Sequence, residues 1–203
     1  MSTLSSHRGR LLLAAILAAV AVAVATVAVA AAATLAGGPA RPGFPALRPA
    51  VAPAGWPRAT LPGGAAVLAF PPTLQRVISD ADAVSAARLG PGGSYQLYLN
   101  ATPRQGAENL AHWAAFRLRL LRSDDAASAR LLTAAGGIRF RGGTGSCVID
   151  SYLTRIGGHH FTEIACLVRG RTSASVIVAA APTARWALAR PLLLRAVAAY
   201  QVR

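Results

Sequence analysis

The sequence predicts an α+β fold, in which a mainly antiparallel sheet is flanked by two helices and follows an N-terminal transmembrane helix and a Pro-rich linker. Three observations lead to this prediction. Residues 11–35 are apolar and uncharged, prolines crowd the stretch that follows, and the remaining chain alternates strand-like segments with two helical ones. The predicted order is a cytoplasmic tail (1–10), a transmembrane helix or uncleaved signal anchor (11–35), a linker (36–63) and an extracytoplasmic domain (64–203).

The apolar segment 11–35 is long enough to cross a bilayer. A helix rises about 1.5 Å per residue, so this segment spans a hydrocarbon core of about 30 Å. Its length favours an uncleaved anchor, because the apolar part of a signal peptide usually has about 7–15 residues. Cleavage is the alternative, because Ala31, Ala32 and Ala33 form a small-residue cleavage pattern, and the protein would then be secreted.

Prolines mark the segment between the anchor and the domain. Seven of the 13 prolines lie between Pro39 and Pro62. Each one removes a backbone donor and fixes φ, so we expect a linker there rather than a helix or a sheet. The 140 residues from 64 to 203 have a globular composition and are numerous enough to bury a core.

Strand-like patterns recur along the predicted domain. Apolar alternation and β-branched residues predict strands at 66–70, 74–78, 83–89, 94–100, 129–134, 147–154, 161–168 and 173–180. The glycines between 90 and 93 predict a hairpin between the third and fourth of these strands.

Two segments have helical periodicity. In 108–122 the apolar residues recur on one face, Glu108 lies at the start and arginines lie at the end, which suits the helix dipole. In 183–200, Thr183 is a candidate N-cap, and Pro191 must either kink the helix or begin a second one.

The two cysteines, Cys147 and Cys166, are predicted to form a disulfide. An export segment upstream places them in a compartment where disulfides persist. The CxxC spacing of redox catalysts is absent, so we interpret the pair as structural rather than catalytic.

Two hairpin registers would put both cysteines on one face of the sheet. A turn at Ile156 and Gly157 makes the cysteines direct partners, but it also sets Asp150 opposite Glu163, which is an unfavourable like-charge pair. A turn one residue later makes the cysteines diagonal neighbours and avoids that pair. The sequence leaves both registers open.

Motifs of catalysis and metal binding are not evident in the sequence. His159 and His160 point to opposite faces of a strand, so they do not chelate one ion readily together with Glu163. The glycine-rich run 142–146 lacks the Lys of a phosphate-binding loop, and the seven acids form no evident acid–base pair. We therefore predict no catalytic, cofactor-binding or metal-binding residue, and a binding function rather than an enzyme.

The net charge of +14 comes from 21 bases, all arginine, against seven acids. An exported domain rarely meets chromosomal DNA, and the arginines are scattered rather than interleaved with aromatic residues, so we expect no nucleic-acid partner. Besides the membrane reached through residues 11–35, the expected partners are anionic lipid, an anionic wall polymer or an envelope protein.

The predicted order of strands, helix, antiparallel strands and final helix resembles the PsbP-like α/β sandwich. Several segments are also similar to uncharacterised membrane-anchored or exported proteins of actinobacteria. These segments are Tyr98 to Pro103, the helix with Trp113 and Phe116, residues 140–152, and Glu163 to Cys166. The resemblance covers about residues 74–202 and carries over no catalytic residue.

PsbP-like domains generally serve as assembly or binding accessories. The resemblance therefore implies a membrane-anchored extracytoplasmic binding or accessory domain at the cell envelope. The alternative is a cleaved and secreted enzyme.

Overall fold

Two antiparallel sheets and two helices make up the part of the chain that the structure, a computed structural model, describes: residues 43–203. The strands are β1 (Arg58–Thr60), β2 (Ala66–Ala69), β3 (Gln75–Val77), β4 (Val84–Leu89), β5 (Tyr95–Pro103), β6 (Ala126–Phe140), β7 (Gly143–Thr154), β8 (His160–Gly170), β9 (Ala174–Pro182) and β10 (Gln201–Val202). The helices are α1 (Trp113–Ser123) and α2 (Trp186–Ala198).

The predicted tail and transmembrane helix, residues 1–35, lie outside the described residues. Within 43–203, neither helix has the length and apolar character needed to cross a membrane.

The larger sheet has seven strands in the order β3-β4-β5-β9-β8-β7-β6, and the smaller has three in the order β1-β2-β10. Every pair of neighbouring strands is antiparallel. Helix α1 packs on one face of the large sheet, mainly against β6 and β7, and α2 packs against β9 and β8. Residues of α2 and of the small sheet belong to one core cluster, and residues of α1 belong to another.

The main core lies on the α2 face. It contains Leu193 and Val197 of α2, Ile164 and Ile177 of the large sheet, and Leu68 of the small sheet, all at most 1% exposed. Burying a side chain of this size contributes about 1.5–3 kcal/mol. The α1 face has a smaller cluster around Trp113.

The disulfide between Cys147 and Cys166 is confirmed. The two cysteines are direct partners, and Leu153 pairs with His160, so the turn is centred at Ile156 and Gly157. Of the two registers left open above, the chain adopts the one that sets Asp150 opposite Glu163.

Helix α1 begins at Trp113, five residues after the predicted start at Glu108. The reason is that Glu108 holds a loop instead of a first helical turn. Its carboxylate accepts the backbone N–H groups of Gln105 and Gly106, at 3.2 and 2.6 Å. The Asn109 side chain then accepts the backbone N–H of His112.

The domain also includes residues before 64, its predicted start. Residues 43–63 belong to the segment 36–63 that we expected to be a linker, yet β1 pairs there with β2 and Leu61 is only 1% exposed. Apolar side chains between the prolines, such as Phe44 and Trp56, pack against the core. β1 is an edge strand, which is a position where nearby prolines are tolerated.

Candidate functional site

A cleft of about 590 Å³ lies on the α1 face of the large sheet. Side chains from α1 and from β5, β9, β8 and β7 line it. The cleft exists because α1 packs mainly on β6 and β7 and leaves the neighbouring part of this face open. Its volume falls within the range of about 300–1,000 Å³ that is typical of small-molecule sites.

Strand alternation places polar side chains in the cleft. On β5, Tyr98, Asn100 and Thr102 face the cleft, while Leu97 and Leu99 face the main core. The same alternation on β7 and β8 brings further aromatic and acidic side chains to this face. These are Tyr152, Phe161 and Glu163.

A buried ion pair joins the helix to the sheet inside the cleft. Arg117 of α1 contacts Oε1 of Glu163 through Nη2 at 2.6 Å and through Nε at 2.8 Å. The Glu163 side chain is 1% exposed and that of Arg117 is 13% exposed. Burial alone would lower the pKa of the Arg117 guanidinium, but Glu163 raises it above its ordinary value, so Arg117 is charged.

Asp150 lies directly across from Glu163, is fully buried, and has no hydrogen-bond partner within the described residues for either carboxyl oxygen. Burial raises its pKa from 3.8 to about 8, the charge of Glu163 adds to the rise, and Arg117 opposes it. At neutral pH Asp150 is therefore mostly a neutral acid. This explains how the register tolerates the Asp150–Glu163 pair: one carboxyl keeps its proton and the other binds Arg117.

A second polar group lies where β4 meets β5. Asn100 donates from Nδ2 to the Ser85 hydroxyl at 2.8 Å, and the hydroxyls of Ser85 and Tyr98 are 3.2 Å apart. Burial raises the pKa of Tyr98, and burial likewise raises that of Tyr152 far above its ordinary value. Both tyrosines therefore offer neutral hydroxyl groups to the cleft.

Two aromatic pairs contribute to the cleft walls. Tyr95 and Tyr98 meet edge to face with ring centroids 5.3 Å apart. Tyr152 and Phe161 stack at 6.0 Å. Aromatic walls together with a few convergent polar groups give a site that can hold a small molecule by stacking and by hydrogen bonds.

The residues singled out in the sequence lie elsewhere. The side chains of Cys147 and Cys166 belong to the main core on the α2 face, so the disulfide supports the sheet but does not line the cleft. His159 and His160 are exposed at the tip of the β7–β8 hairpin. Across residues 43–203 we find no cluster of His, Cys, Asp and Glu suited to hold a metal ion.

Sequence reasoning missed the ion pair, although a signal was present. Arg117 lies on the apolar face of the predicted helix, and Glu163 interrupts an apolar strand. Charged side chains are almost never fully buried unless they are paired, so two charges at predicted core positions indicate partners for each other.

No family model matches the chain, and no curated protein matches it significantly. Among solved structures, the chain is similar to PsbP (CyanoP) of Synechocystis sp. PCC 6803, with a TM-score of 0.52 and 13% identity, covering 75% of this chain and 95% of that chain. It is also similar to PA94 of Pseudomonas aeruginosa, a protein of unknown function, with a TM-score of 0.46 and 13% identity, covering 70% and 94%.

A further similarity is to LpqN of Mycobacterium tuberculosis, which is involved in cell envelope biogenesis. The TM-score is 0.43 and the identity 13%, covering 66% of this chain and 81% of that chain. The likeness to CyanoP confirms the predicted PsbP-like α+β fold and extends to the fold alone. The resemblance to actinobacterial proteins stays a prediction.

Proposed function

We propose that this protein is a membrane-anchored extracytoplasmic binding domain at the cell envelope and that the cleft beside α1 is its ligand site. The cleft itself carries the proposal, because its aromatic walls surround the hydroxyl of Tyr98, the amide of Asn100 and the ion pair of Arg117 with Glu163. These side chains come from strands and a helix rather than from loops, which gives a site that is largely formed before the ligand arrives.

Placement outside the cytoplasm is supported by two features. The bond between Cys147 and Cys166 is of the kind that persists in oxidising compartments. The apolar segment 11–35 has the length and lack of charge expected of a membrane anchor.

A binding role fits the cleft better than catalysis. Glu163, the buried acid that lines it, is neutralised by Arg117. A serine or cysteine hydrolase needs a serine or cysteine side chain beside a general base. None of the residues that line the cleft is a serine or a cysteine. The PsbP-like fold, whose members generally serve as binding or assembly accessories, agrees with this role.

The arginine-rich surface is proposed as a second, less specific contact. Outside the cleft, the domain carries most of its arginines on the surface. Attraction to anionic lipid or to an anionic wall polymer would hold such a surface close to the envelope.

Blocking the cleft tests the proposed function. Thr102 lines the cleft on β5, so Thr102→Trp should fill it, whereas Thr144→Trp places the same ring at an exposed strand position outside it. The assay is saturation-transfer NMR of the full-length protein in a non-ionic detergent against a library of small polar and aromatic fragments. We expect fragments that bind the wild type and Thr144→Trp but not Thr102→Trp. If no fragment binds, or if Thr102→Trp leaves binding unchanged, the cleft is not the ligand site.

A further inference from the structure

The distribution of charge around the cleft is opposite to that of the chain. The protein has 21 bases and only seven acids. Yet the cleft is lined by four of those acids and only two of the arginines. The acids are Asp80, Asp124, Asp125 and Glu163, and the arginines are Arg117 and Arg155. A cleft with an excess of one sign of charge attracts ions of the other sign.

Both cleft arginines already have partners. Arg117 is bound to Glu163. Arg155 donates from Nη2 to the carbonyl oxygen of Arg122 and, at 3.5 Å, to that of Ser123, at the C-terminal end of α1. These contacts satisfy carbonyl groups that the helix leaves without donors. Arg117 is paired with one acid, and Arg155, whose acceptors are uncharged carbonyl groups, offsets one more, so the acids of the cleft still outnumber its arginines by two.

The three other acids have no ion-pair partner in the described part of the chain. Asp80, Asp124 and Asp125 are exposed at the cleft, and no arginine within residues 43–203 comes within ion-pair distance of them. Two of them follow the C-terminal end of α1, which has its own partial negative charge. The cleft therefore has an excess of negative charge.

The aromatic rings of the cleft provide a second, independent attraction for a cation. Ring faces attract ammonium and guanidinium groups. Within the described residues, the arginine that lies over an aromatic ring is Arg119, 5.9 Å from Phe116, and that ring does not line the cleft. The rings of Tyr95, Tyr98 and Tyr152 thus carry no arginine, in a chain where arginine is abundant.

Beneath the surface of the same sheet face lies an acid without a hydrogen-bond partner in the described residues. Asp150, next to Glu163 on the same face of the sheet, is fully buried, and neither of its oxygens accepts a hydrogen bond from a described residue. Asp150 thus adds a second carboxyl group beside Glu163 on this face of the sheet.

We propose that the ligand of the cleft is a small organic cation that carries an ammonium or quaternary ammonium group. This inference rests on the proposed function, namely that the cleft binds a ligand, and it adds the chemical class. The cationic group lies against the tyrosine rings and near the acids at the rim, while Asn100 and the Tyr98 hydroxyl bind polar groups of the rest of the molecule.

Calorimetric titration of the full-length protein in a non-ionic detergent tests this proposal. The probes are choline and tetramethylammonium, and the control is 3,3-dimethyl-1-butanol, which has nearly the shape of choline without its charge. We expect choline to bind about tenfold more tightly than the neutral alcohol, because a cation–π contact and one nearby carboxylate together contribute on the order of 1–2 kcal/mol.

Variants distinguish binding of the cation in the cleft from its general attraction to acidic residues elsewhere on the surface. Asp80→Asn removes an acid of the cleft, and Asp82→Asn removes an acid two residues away that does not line it. Asp80→Asn should weaken choline binding about threefold, whereas Asp82→Asn should not change it. Tyr95→Phe keeps a ring and should retain binding, whereas Tyr95→Leu should lose several-fold.

Equal affinity for choline and the neutral alcohol, or equal effects of Asp80→Asn and Asp82→Asn, would overturn the inference. If library fragments bind and Thr102→Trp excludes them while the cations do not bind, the ligand class is wrong and the proposed function stands. Phosphocholine, titrated in parallel, distinguishes two sources of the cationic group. If phosphocholine binds more tightly than choline, the ligand is a lipid headgroup; if it binds more weakly, the ligand is a free amine.

Discussion

At the scale of residues, Arg117 controls the charge balance of the cleft. Two carboxyls, Asp150 and Glu163, face each other across β7 and β8, and Arg117 binds one of them. Removal of one partner of a buried pair leaves an uncompensated charge in a poorly solvated place, while replacement of both partners by apolar groups is often nearly neutral. The contribution of this pair to stability is therefore strongly non-additive.

Arg117→Met should lower the free energy of unfolding by about 3–5 kcal/mol, because Glu163 is left buried without its partner. The double variant Arg117→Met with Glu163→Met should recover most of that loss. Arg119→Met on the same helix, at an exposed position, is the control and should cost less than about 1 kcal/mol. Urea denaturation followed by tryptophan fluorescence measures all four proteins. Equal losses for the two arginines would contradict this role of Arg117.

Asp150 makes stability depend on pH in a definite direction. Its pKa in the folded protein is raised from 3.8 to about 8, so the folded state holds a proton that the unfolded state releases. Folding stability from this group is fully present below about pH 4 and is lost as pH rises towards about 8. The amide of Asp150→Asn does not titrate between about pH 4 and 8. The free energy of unfolding of the wild type should therefore fall relative to that of this variant across the interval, and the difference should change little at higher pH. A difference between the two proteins that does not vary with pH would show that Asp150 is ionised in the fold.

At the scale of elements, the β7–β8 hairpin shows which features a local sequence pattern predicts and which it does not. Alternation predicted both strands and put both cysteines on one face. The register stayed open because the local sequence argued against Asp150 opposite Glu163. What stabilises this register is Arg117, a residue 46 positions from Glu163 on another element. A contact of that separation is not visible in a local pattern.

Helix α1 and the small sheet illustrate the same limit. The periodicity of 108–122 predicted the helix. The helix begins later than predicted because the Glu108 carboxylate accepts backbone N–H groups of the preceding loop. β1 and β10 have only three and two residues, too few to leave a periodic signal. They form because each pairs with β2.

The disulfide connects β7 and β8, the two strands of the hairpin. Cys147→Ala should lower the free energy of unfolding by up to about 3 kcal/mol, since it removes a cross-link that closes a loop of 19 residues. The double variant with Cys166→Ala should lose a similar amount rather than twice as much, because both changes remove one bond. Thiol titration of the unfolded, unreduced wild type should find no free thiol among the two cysteines. Two reactive thiols per chain would mean that the bond does not form in the cell.

At the scale of the whole molecule, the cleft depends on the order of the strands. β5 pairs with β9, and β9 pairs with β8, which brings Tyr98 and Asn100 near Glu163 although more than 60 residues separate them. The sequence predicted the strands and the fold class but not this order. The sequence therefore could not show that the acids and tyrosines of the cleft lie together in one site.

Placement in the cell is the other property of the whole chain. If residues 11–35 anchor the protein with its domain outside, alkaline phosphatase fused after Arg203 should be active in cells. Mass spectrometry of the membrane fraction should then find a chain that retains residues 11–35. An inactive fusion would contradict export, and a shortened chain in the medium would favour the cleaved alternative.

The central claim is that the cleft on the α1 face binds a small organic cation. The most direct measurement is a ¹H–¹⁵N correlation spectrum of the labelled full-length protein, titrated with choline. The account predicts shifts confined to amides around the cleft, such as those of Tyr98, Asn100 and Phe161, with none at Leu193 or Val197 on the opposite face. Shifts scattered over the arginine-rich surface, or no shifts up to high choline concentration, would contradict it.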